Sequence, residues 1–143
     1  IHDWNRVYGR HGFYQFQCVI PDAEAPRTIR EMLETVARAG RASFLAVLKT
    51  LGGAGQGMLS FPMRGVTLAL DFPRKPGVEE LIHGLNRLAR ERGGRVYLAK
   101  DRFTRGQDYR RMDRRLEAWR AVKRKYDPQG RLRSAQSARL ELV

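Results

Sequence analysis

The segment Gly12–Pro21 has the sequence GFYQFQCVIP. It is rich in aromatic and β-branched residues and stops at a proline, which predicts a β-strand. Alternate residues of a strand point to opposite faces of the sheet. One predicted face carries the side chains of Tyr14, Phe16, Cys18 and Ile20. The other face mixes apolar groups with two amides, from Phe13, Gln15, Gln17 and Val19.

A second segment, Arg64–Pro73, RGVTLALDFP, alternates in the same way. Its two sets are Val66, Leu68, Leu70 and Phe72 on one face, and Thr67, Ala69 and Asp71 on the other. The alternation predicts one exposed face with Gln15, Gln17 and Thr67, opposite Phe16, Cys18, Leu68 and Leu70. Exposed strand faces rarely carry residues such as Phe13 and Val19, so this face is interpreted as a ligand-facing or docking wall. Ordinary solvated strand residues are the alternative.

The remaining elements are predicted around these two segments. Asp22 is expected to cap a helix that ends at Gly40, with an apolar stripe of Ile29, Met32, Leu33 and Val36. Further strands are predicted at Ala42–Leu51 (buried, with helix possible), Gly57–Met63 and Arg95–Ala99. A helix is predicted from Pro76 to Gly93, and a last long helix over Gln107–Tyr126.

Apart from the additional short strand at Gly57–Met63, this order corresponds to the β-α-β-β-α-β pattern of a ferredoxin-like α+β fold. The prediction is an antiparallel sheet with two helices on one face, followed by a C-terminal basic helix and an irregular tail. The other face of the sheet must meet water or a partner.

Composition limits the class of protein. The chain has 143 residues, 42% of them hydrophobic and 30% charged, which fits a globular domain. A single cysteine, Cys18, rules out an internal disulfide and indicates a reducing, cytoplasmic setting. Cys18 itself is interpreted as an inert core thiol. The chain begins at Ile1 without a methionine and is interpreted as a fragment of a longer protein.

No self-sufficient active site is expected from residue spacing. The three histidines are scattered, so no metal site is predicted. The glycine-rich Gly52–Gly57 lacks the ending of a phosphate-binding loop, and Ser60 does not lie in a nucleophile elbow.

The net charge of +13, concentrated in the last third, is compatible with binding to nucleic acid or to an anionic membrane surface, and nucleic-acid binding is the alternative function. A basic ferredoxin-like domain with aromatic residues on its first strand is typical of RNA-binding modules. However, Thr67 and Ala69 stand where stacking aromatics are needed, and the RNA-recognition signature is absent. Specific nucleic-acid binding is therefore not expected.

Four segments in order carry a family resemblance: WNRVYGRHGFYQFQCVIPD, FLAVLKTLGGAGQGMLSFPMRGVTLALDFP, GGRVYLAKDRF and WRAVKRKYDPQGRLRSAQSARLEL. Together they resemble the C-terminal part of FAD-linked oxidoreductases of the vanillyl-alcohol oxidase superfamily, in particular decaprenylphosphoryl-ribose oxidases and sugar-lactone or alditol oxidases. The resemblance implies a substrate-binding cap domain at residues 1–98. Residues 99–143 would pack on an FAD-binding domain that this chain lacks.

The resemblance also implies chemistry. The complete protein would use FAD to oxidise a sugar, sugar-lactone or polyol hydroxyl by hydride transfer to flavin N5, and this fragment alone would be inactive. A lipid-linked substrate would bring peripheral membrane association.

Individual residues acquire functions from the same resemblance. Gln15, Gln17 and Thr67 would form the wall over the substrate, and Lys49 matches a position near the pocket, with a solvated lysine as the alternative. Tyr97 and Lys100 would lie at the reactive end of the flavin. There, the Lys100 ammonium would stabilise negative charge as it develops around N1 and the C2 carbonyl; a surface lysine at a strand end is the alternative. Asp101 is expected to pair with Lys100 or a neighbouring arginine.

Overall fold

The computed structural model describes residues 2–3, 6, 8–41 and 43–142. Within those ranges the sheet contains the strands β1 (Phe13–Ile20), β2 (Ala46–Leu51), β3 (Gly65–Pro73) and β4 (Arg95–Val96). The helices are α1 (Ala25–Arg38), α2 (Val78–Glu91), α3 (Gly106–Met112), α4 (Leu116–Tyr126) and α5 (Ala135–Arg139). None of these helices combines the length and apolarity needed to cross a membrane.

The sheet order is β2-β3-β1-β4, and each neighbouring pair is antiparallel. This arrangement confirms the predicted ferredoxin-like α+β fold. In the central pair, Phe16 lies opposite Leu70 and Cys18 lies opposite Leu68. These four side chains are at most 2% exposed and join the core with the apolar stripes of α1 and α2. Both helices therefore cover one face of the sheet, as predicted.

The close approach of β1 and β3 depends on a glycine at the start of β3. Gly65 has φ +154°, and a Cβ atom there would lie 2.1 Å from the backbone oxygen of Ile20. A larger residue would therefore force the two central strands apart at this end.

The predicted N-terminal cap of α1 is wrong. Glu24 occupies the cap position without a side-chain hydrogen bond, and Pro26 lies in the first turn, where its missing N–H has no cost. Asp22 instead accepts a hydrogen bond from Arg64 Nε at 2.9 Å, which ties the start of α1 to the start of β3.

Strand β2 was predicted correctly as a strand but wrongly as buried. It pairs only with β3 and lies at the edge of the sheet. Leu48 is 57% exposed, and Phe44 and Leu45 just before the strand are also exposed. The apolar residues of this segment are therefore not evidence that the strand is buried.

The prediction of a strand at Gly57–Met63 is wrong, because this segment is irregular. Pro62 lacks a backbone donor for a strand ladder. The Ser60 carbonyl accepts hydrogen bonds from Arg95 at 3.3 Å and Arg115 at 2.8 Å instead. Side chains far along the sequence therefore hold this segment beside β4.

The predicted helix Gln107–Tyr126 is in fact two helices, α3 and α4. Asp113 adopts an extended conformation between them, and its carboxylate accepts a hydrogen bond from the backbone N–H of Arg115 at 3.1 Å. Asp113 thereby breaks the helix, since its side chain competes for a backbone donor. Tyr109 and Met112 of α3 and Leu116 of α4 are nevertheless buried, whereas Val122 of α4 is exposed.

Candidate functional site

The face of the sheet opposite α1 and α2, which we call the open face, carries most of the predicted site residues. Gln15 and Gln17 project from β1, Thr67 from β3, and Lys49 lies directly opposite Thr67 on β2. The prediction that Gln15, Gln17 and Thr67 share a face opposite the core is thus confirmed. The prediction that this face is exposed is wrong, because Thr67 is 2% exposed and both glutamines are half-buried.

Two hydrogen bonds order the polar groups of the open face. Gln17 Nε2 lies 3.0 Å from Thr67 Oγ1, and Gln15 Nε2 donates to Asp71 Oδ1 at 2.9 Å. The second carboxylate oxygen of Asp71 accepts a hydrogen bond from the Tyr8 hydroxyl at 2.6 Å. The polar side chains that β1 and β3 contribute to the open face are therefore mutually paired, beside the buried apolar Val19 and Ala69.

Asp71 and Tyr8 were not predicted as site residues. The alternation placed Asp71 on the same side as Thr67, but nothing local indicated its partners. The sequence signal that could have identified Asp71 was a carboxylate within a mostly apolar strand. The structure places it directly opposite Gln15. Buried carboxylates need such partners.

Aromatic rings close one end of the open face. The Tyr8 ring stacks on Phe13 with 3.7 Å between centroids and meets Phe44 edge-on at 6.0 Å. The hydrogen bond from Tyr8 to Asp71, together with burial, raises the pKa of Tyr8 to about 12. Tyr8 is therefore a neutral hydrogen-bond donor at physiological pH.

Tyr97 lies at the other side of β1, just after β4. Its backbone N–H donates to the Gln17 carbonyl at 2.8 Å, and its ring packs on Phe61 at 4.7 Å between centroids. The backbone pairing places Tyr97 next to Gln17. Phe61 belongs to the irregular segment wrongly predicted as a strand.

Lys100 does not lie at the end of a strand. The sheet pairing stops at Val96, and Leu98–Lys100 forms a single 3₁₀ turn in which Lys100 N–H donates to the Tyr97 carbonyl. Gln136 Nε2 donates to the Leu98 carbonyl at 2.6 Å and fastens this turn to α5. The lysine therefore has a half-buried position on an anchored turn.

The adjacent Asp101 does not neutralise Lys100. Its carboxylate pairs with Arg139 at 2.8 Å and accepts the backbone N–H of Thr104 at 2.9 Å. Within the part of the chain that the structure describes, no carboxylate forms an ion pair with Lys100. The expectation that Asp101 pairs with Lys100 is wrong. An arginine does pair with Asp101, although it is distant in sequence.

An ionic cluster fixes the helices beside β4. Arg115 forms a two-pronged interaction with the Asp113 carboxylate, at 2.8 Å from Nε and 2.7 Å from Nη2, and Arg95 lies 4.0 Å away. Burial raises the pKa of Asp113, but the hydrogen bonds from Arg115 and the charges of Arg115 and Arg95 outweigh it and lower the pKa from 3.8 overall. Arg95 and Arg115 also hold the Ser60 carbonyl, next to Phe61, whose ring packs on Tyr97.

Cys18 is on the core face and takes no part in the site. It is fully buried, and burial raises the pKa of its thiol to about 12. The prediction of an inert core thiol is consistent with both observations. In the described residues, no group of three or more His, Cys, Asp or Glu side chains could hold a metal ion.

The chain is similar to known proteins, although no family model matches it. It is 39% identical over 141 residues to decaprenylphosphoryl-beta-D-ribose oxidase of Mycolicibacterium smegmatis, which covers 99% of this chain and 30% of that protein. It is 31% identical over 142 residues to an uncharacterized protein in the mprA 5′ region of Streptomyces coelicolor, covering 98% of this chain and 38% of that protein. The chain thus spans about a third of the length of these relatives. The predicted resemblance to part of an oxidase is confirmed.

Proposed function

We propose that this chain is the substrate-binding cap and C-terminal segment of an FAD-dependent oxidoreductase that oxidises a hydroxyl group of a sugar, sugar-lactone or polyol. The observation that carries the proposal is the shared position of Gln15, Gln17, Thr67 and Lys49 on one face of the sheet, beside Tyr97. Similarity to an oxidase over 99% of the chain supports it.

The wall would bind substrate through hydrogen bonds. Amide and hydroxyl groups donate and accept, as a polyhydroxylated substrate requires. Gln15, Gln17 and Thr67 are already paired with neighbours, so their positions need little further ordering when a ligand binds. Lys49 is exposed at the edge of the sheet and would contact a more distal part of the substrate.

FAD, when bound, supplies the hydride acceptor. The residues present fit such a group, because Lys100 offers an ammonium on an anchored turn while Asp101 is engaged by Arg139. Lys100 would stabilise the negative charge that develops at the pyrimidine end of the isoalloxazine ring, and Tyr97 would pack beside it. Because the turn that carries Lys100 is anchored by Gln136, its backbone has little reorganisation to undergo during the reaction.

The proposed division of the chain is a cap at residues 1–98 and a docking segment at residues 99–143. The docking segment includes the exposed apolar residues Val122, Tyr126 and Leu132, which fit contact with a separate FAD-binding domain. The name of the Mycolicibacterium relative specifies a lipid-linked ribose, so a lipid-linked sugar is among the proposed substrates. With such a substrate, we propose peripheral association with a membrane from the cytoplasmic side.

The RNA-binding alternative is weaker. RNA binding would need aromatic side chains at the centre of the open face, on which bases can stack. These positions hold Gln15, Gln17, Thr67 and Ala69 instead. The high net charge supports only general attraction to polyanions.

The proposal is tested in the flavoprotein that contains this chain. Anaerobic mixing with xylitol, D-arabinose, D-arabinono-1,4-lactone or a polyprenylphosphoryl pentose should bleach the flavin absorbance with at least one of them. The isolated chain should purify without flavin. Stoichiometric flavin on the isolated chain, or tight RNA binding that persists at high salt with no flavin reduction by any probe, would contradict the proposal.

A further inference from the structure

Asp71 is a buried carboxylate without a cation. It is 4% exposed, and within the described residues it forms no ion pair with an arginine or lysine. Its two oxygens are held by neutral donors, the Tyr8 hydroxyl at 2.6 Å and the Gln15 amide at 2.9 Å. Burying a charge in this way is costly, so a purely structural role would be served better by an apolar residue.

The chemistry of a carboxylate determines how the Gln15 amide is oriented. An ionised carboxylate only accepts hydrogen bonds, so the group that Gln15 turns towards Asp71 must be its NH₂. The amide oxygen Oε1 is consequently the end directed away from Asp71. Reversing the amide would place two acceptors against each other.

Gln17 provides an internal contrast. Its partner is the Thr67 hydroxyl, which can either donate or accept. Either end of the Gln17 amide can therefore face Thr67 with a hydrogen bond intact. The side-chain amide of Gln15 therefore has a fixed orientation, whereas the amide of Gln17, two residues further along the same strand, can turn over.

The carboxylate itself is held against rotation. Tyr8 occupies the second oxygen, and its ring is packed between Phe13 and Phe44. The backbone N–H of Asp71 donates to Ser43 Oγ at 2.8 Å, which fixes the main chain at the same point. Asp71 therefore transmits a fixed orientation to Gln15.

We propose that Asp71 is a positioning residue that orients Gln15 so that its Oε1 accepts a hydrogen bond from a substrate hydroxyl, while Gln17 adapts to either a donor or an acceptor. This inference rests on the proposed function and deepens it, because it states which hydrogen-bonding group Gln15 presents to the substrate. The preferred substrates present a hydroxyl donor opposite Gln15. Replacing that hydroxyl by a keto group removes the donor.

The first test measures orientation without any substrate. The side-chain NH₂ signals of Gln15 and Gln17 are assigned by NMR on the full chain, using Gln15→Met and Gln17→Met to identify each pair. Asp71→Asn should shift the Gln15 NH₂ signals and leave those of Gln17 in place. The matched control Thr67→Val should do the reverse. If Asp71→Asn does not fold, Tyr8→Phe is measured instead and should also shift Gln15 selectively. Unmoved Gln15 signals in the folded variant would overturn the inference.

The second test is a double-mutant cycle in the flavoprotein, with whichever of xylitol, D-arabinose and D-arabinono-1,4-lactone is oxidised fastest. Loss of one oriented hydrogen bond predicts that Asp71→Asn raises KM about 3- to 10-fold, with kcat changed less than about 2-fold. In a Gln15→Met background, Asp71→Asn should raise KM no further. An equal rise in both backgrounds would overturn the inference. If no probe is oxidised, the proposed function fails and the NMR result alone decides the orientation of Gln15.

Discussion

The two faces of the β1–β3 pair are both largely buried, yet they are built differently. On the core face, Phe16, Leu68 and Leu70 are at most 2% exposed and contact the apolar residues of α1 and α2. On the open face, Thr67 and Asp71 are 2% and 4% exposed and are paired by hydrogen bonds. Burial alone therefore does not distinguish the core from the candidate site. The distinction is that the open face includes mutually paired polar groups beside the apolar Val19 and Ala69, whereas the buried residues of the core face are apolar.

This difference has energetic consequences. Burial of apolar area is the main favourable contribution to folding, whereas hydrogen bonds inside a protein contribute modestly and are expensive to leave unmade. Substitutions on the core face should therefore change stability, and substitutions on the open face should change substrate binding and rate more than stability.

The largest expected effect is on the core face. Leu68→Ala should lower the free energy of unfolding by about 2–5 kcal/mol, because it leaves a cavity among residues that cannot collapse into it. Gln17→Ala, on the opposite face of the paired strand, should cost less than about 1 kcal/mol. Urea denaturation of both variants measures the contrast. Equal losses would show that the open face is a second core.

The next effect is on rate and concerns Lys100. In the proposed FAD-dependent oxidoreductase, Lys100→Ala should slow anaerobic flavin reduction roughly 10²–10³-fold, which is typical for loss of a positioned electrostatic partner. Lys100→Arg should restore only part of the rate, since a planar guanidinium places its charge differently. Stopped-flow absorbance gives the rates, and thermal melts control for folding. Unchanged reduction with an unchanged melting temperature would make Lys100 an ordinary surface residue.

A smaller loss of stability, which should depend on pH, is expected for substitution of Asp113. Asp113→Asn should cost roughly 2 kcal/mol at pH 7, as expected for hydrogen bonds to a charged group. The folded-state pKa of Asp113 lies below 3.8, so its stabilisation is complete above that value and disappears as pH falls through the folded pKa. The stability difference between variant and wild type should thus shrink at low pH. Glu117→Gln, at a 65% exposed side chain paired with Arg120, is the matched control and should cost under about 1 kcal/mol. A difference for Asp113→Asn that is independent of pH would exclude the charged cluster as its cause.

The smallest effect on stability is expected at Lys49. Its side chain is exposed on the edge strand β2, so Lys49→Ala should change the free energy of unfolding by less than about 0.5 kcal/mol. Steady-state kinetics should nevertheless show a higher KM if Lys49 contacts substrate. Thr50→Ala, at the exposed neighbouring position, should leave KM unchanged. Identical kinetics for both variants would remove Lys49 from the proposed wall.

Local pattern predicted the elements unequally well. The strands β1 and β3 and the helices α1 and α2 were predicted because their apolar residues repeat with a clear period. The segment Gly57–Met63 and the helix break at Asp113 were not, since both depend on bonds to partners distant in sequence or on local competition for backbone donors. The burial of β2 was overestimated because an edge position cannot be recognised from composition.

The sequence by itself determined which residues of β1 and β3 share a face, because the side-chain period of a strand is two and one set of alternate residues is consistently apolar. It also determined the resemblance to an oxidase. Only the tertiary structure decided that Asp71 holds Gln15 and Tyr8, that Asp101 pairs with Arg139 rather than with Lys100, and that the ring of Phe61 packs on that of Tyr97. Those contacts join residues 36 to 63 positions apart, and the pairing of such groups depends on the packing of the whole chain, which no local periodicity encodes.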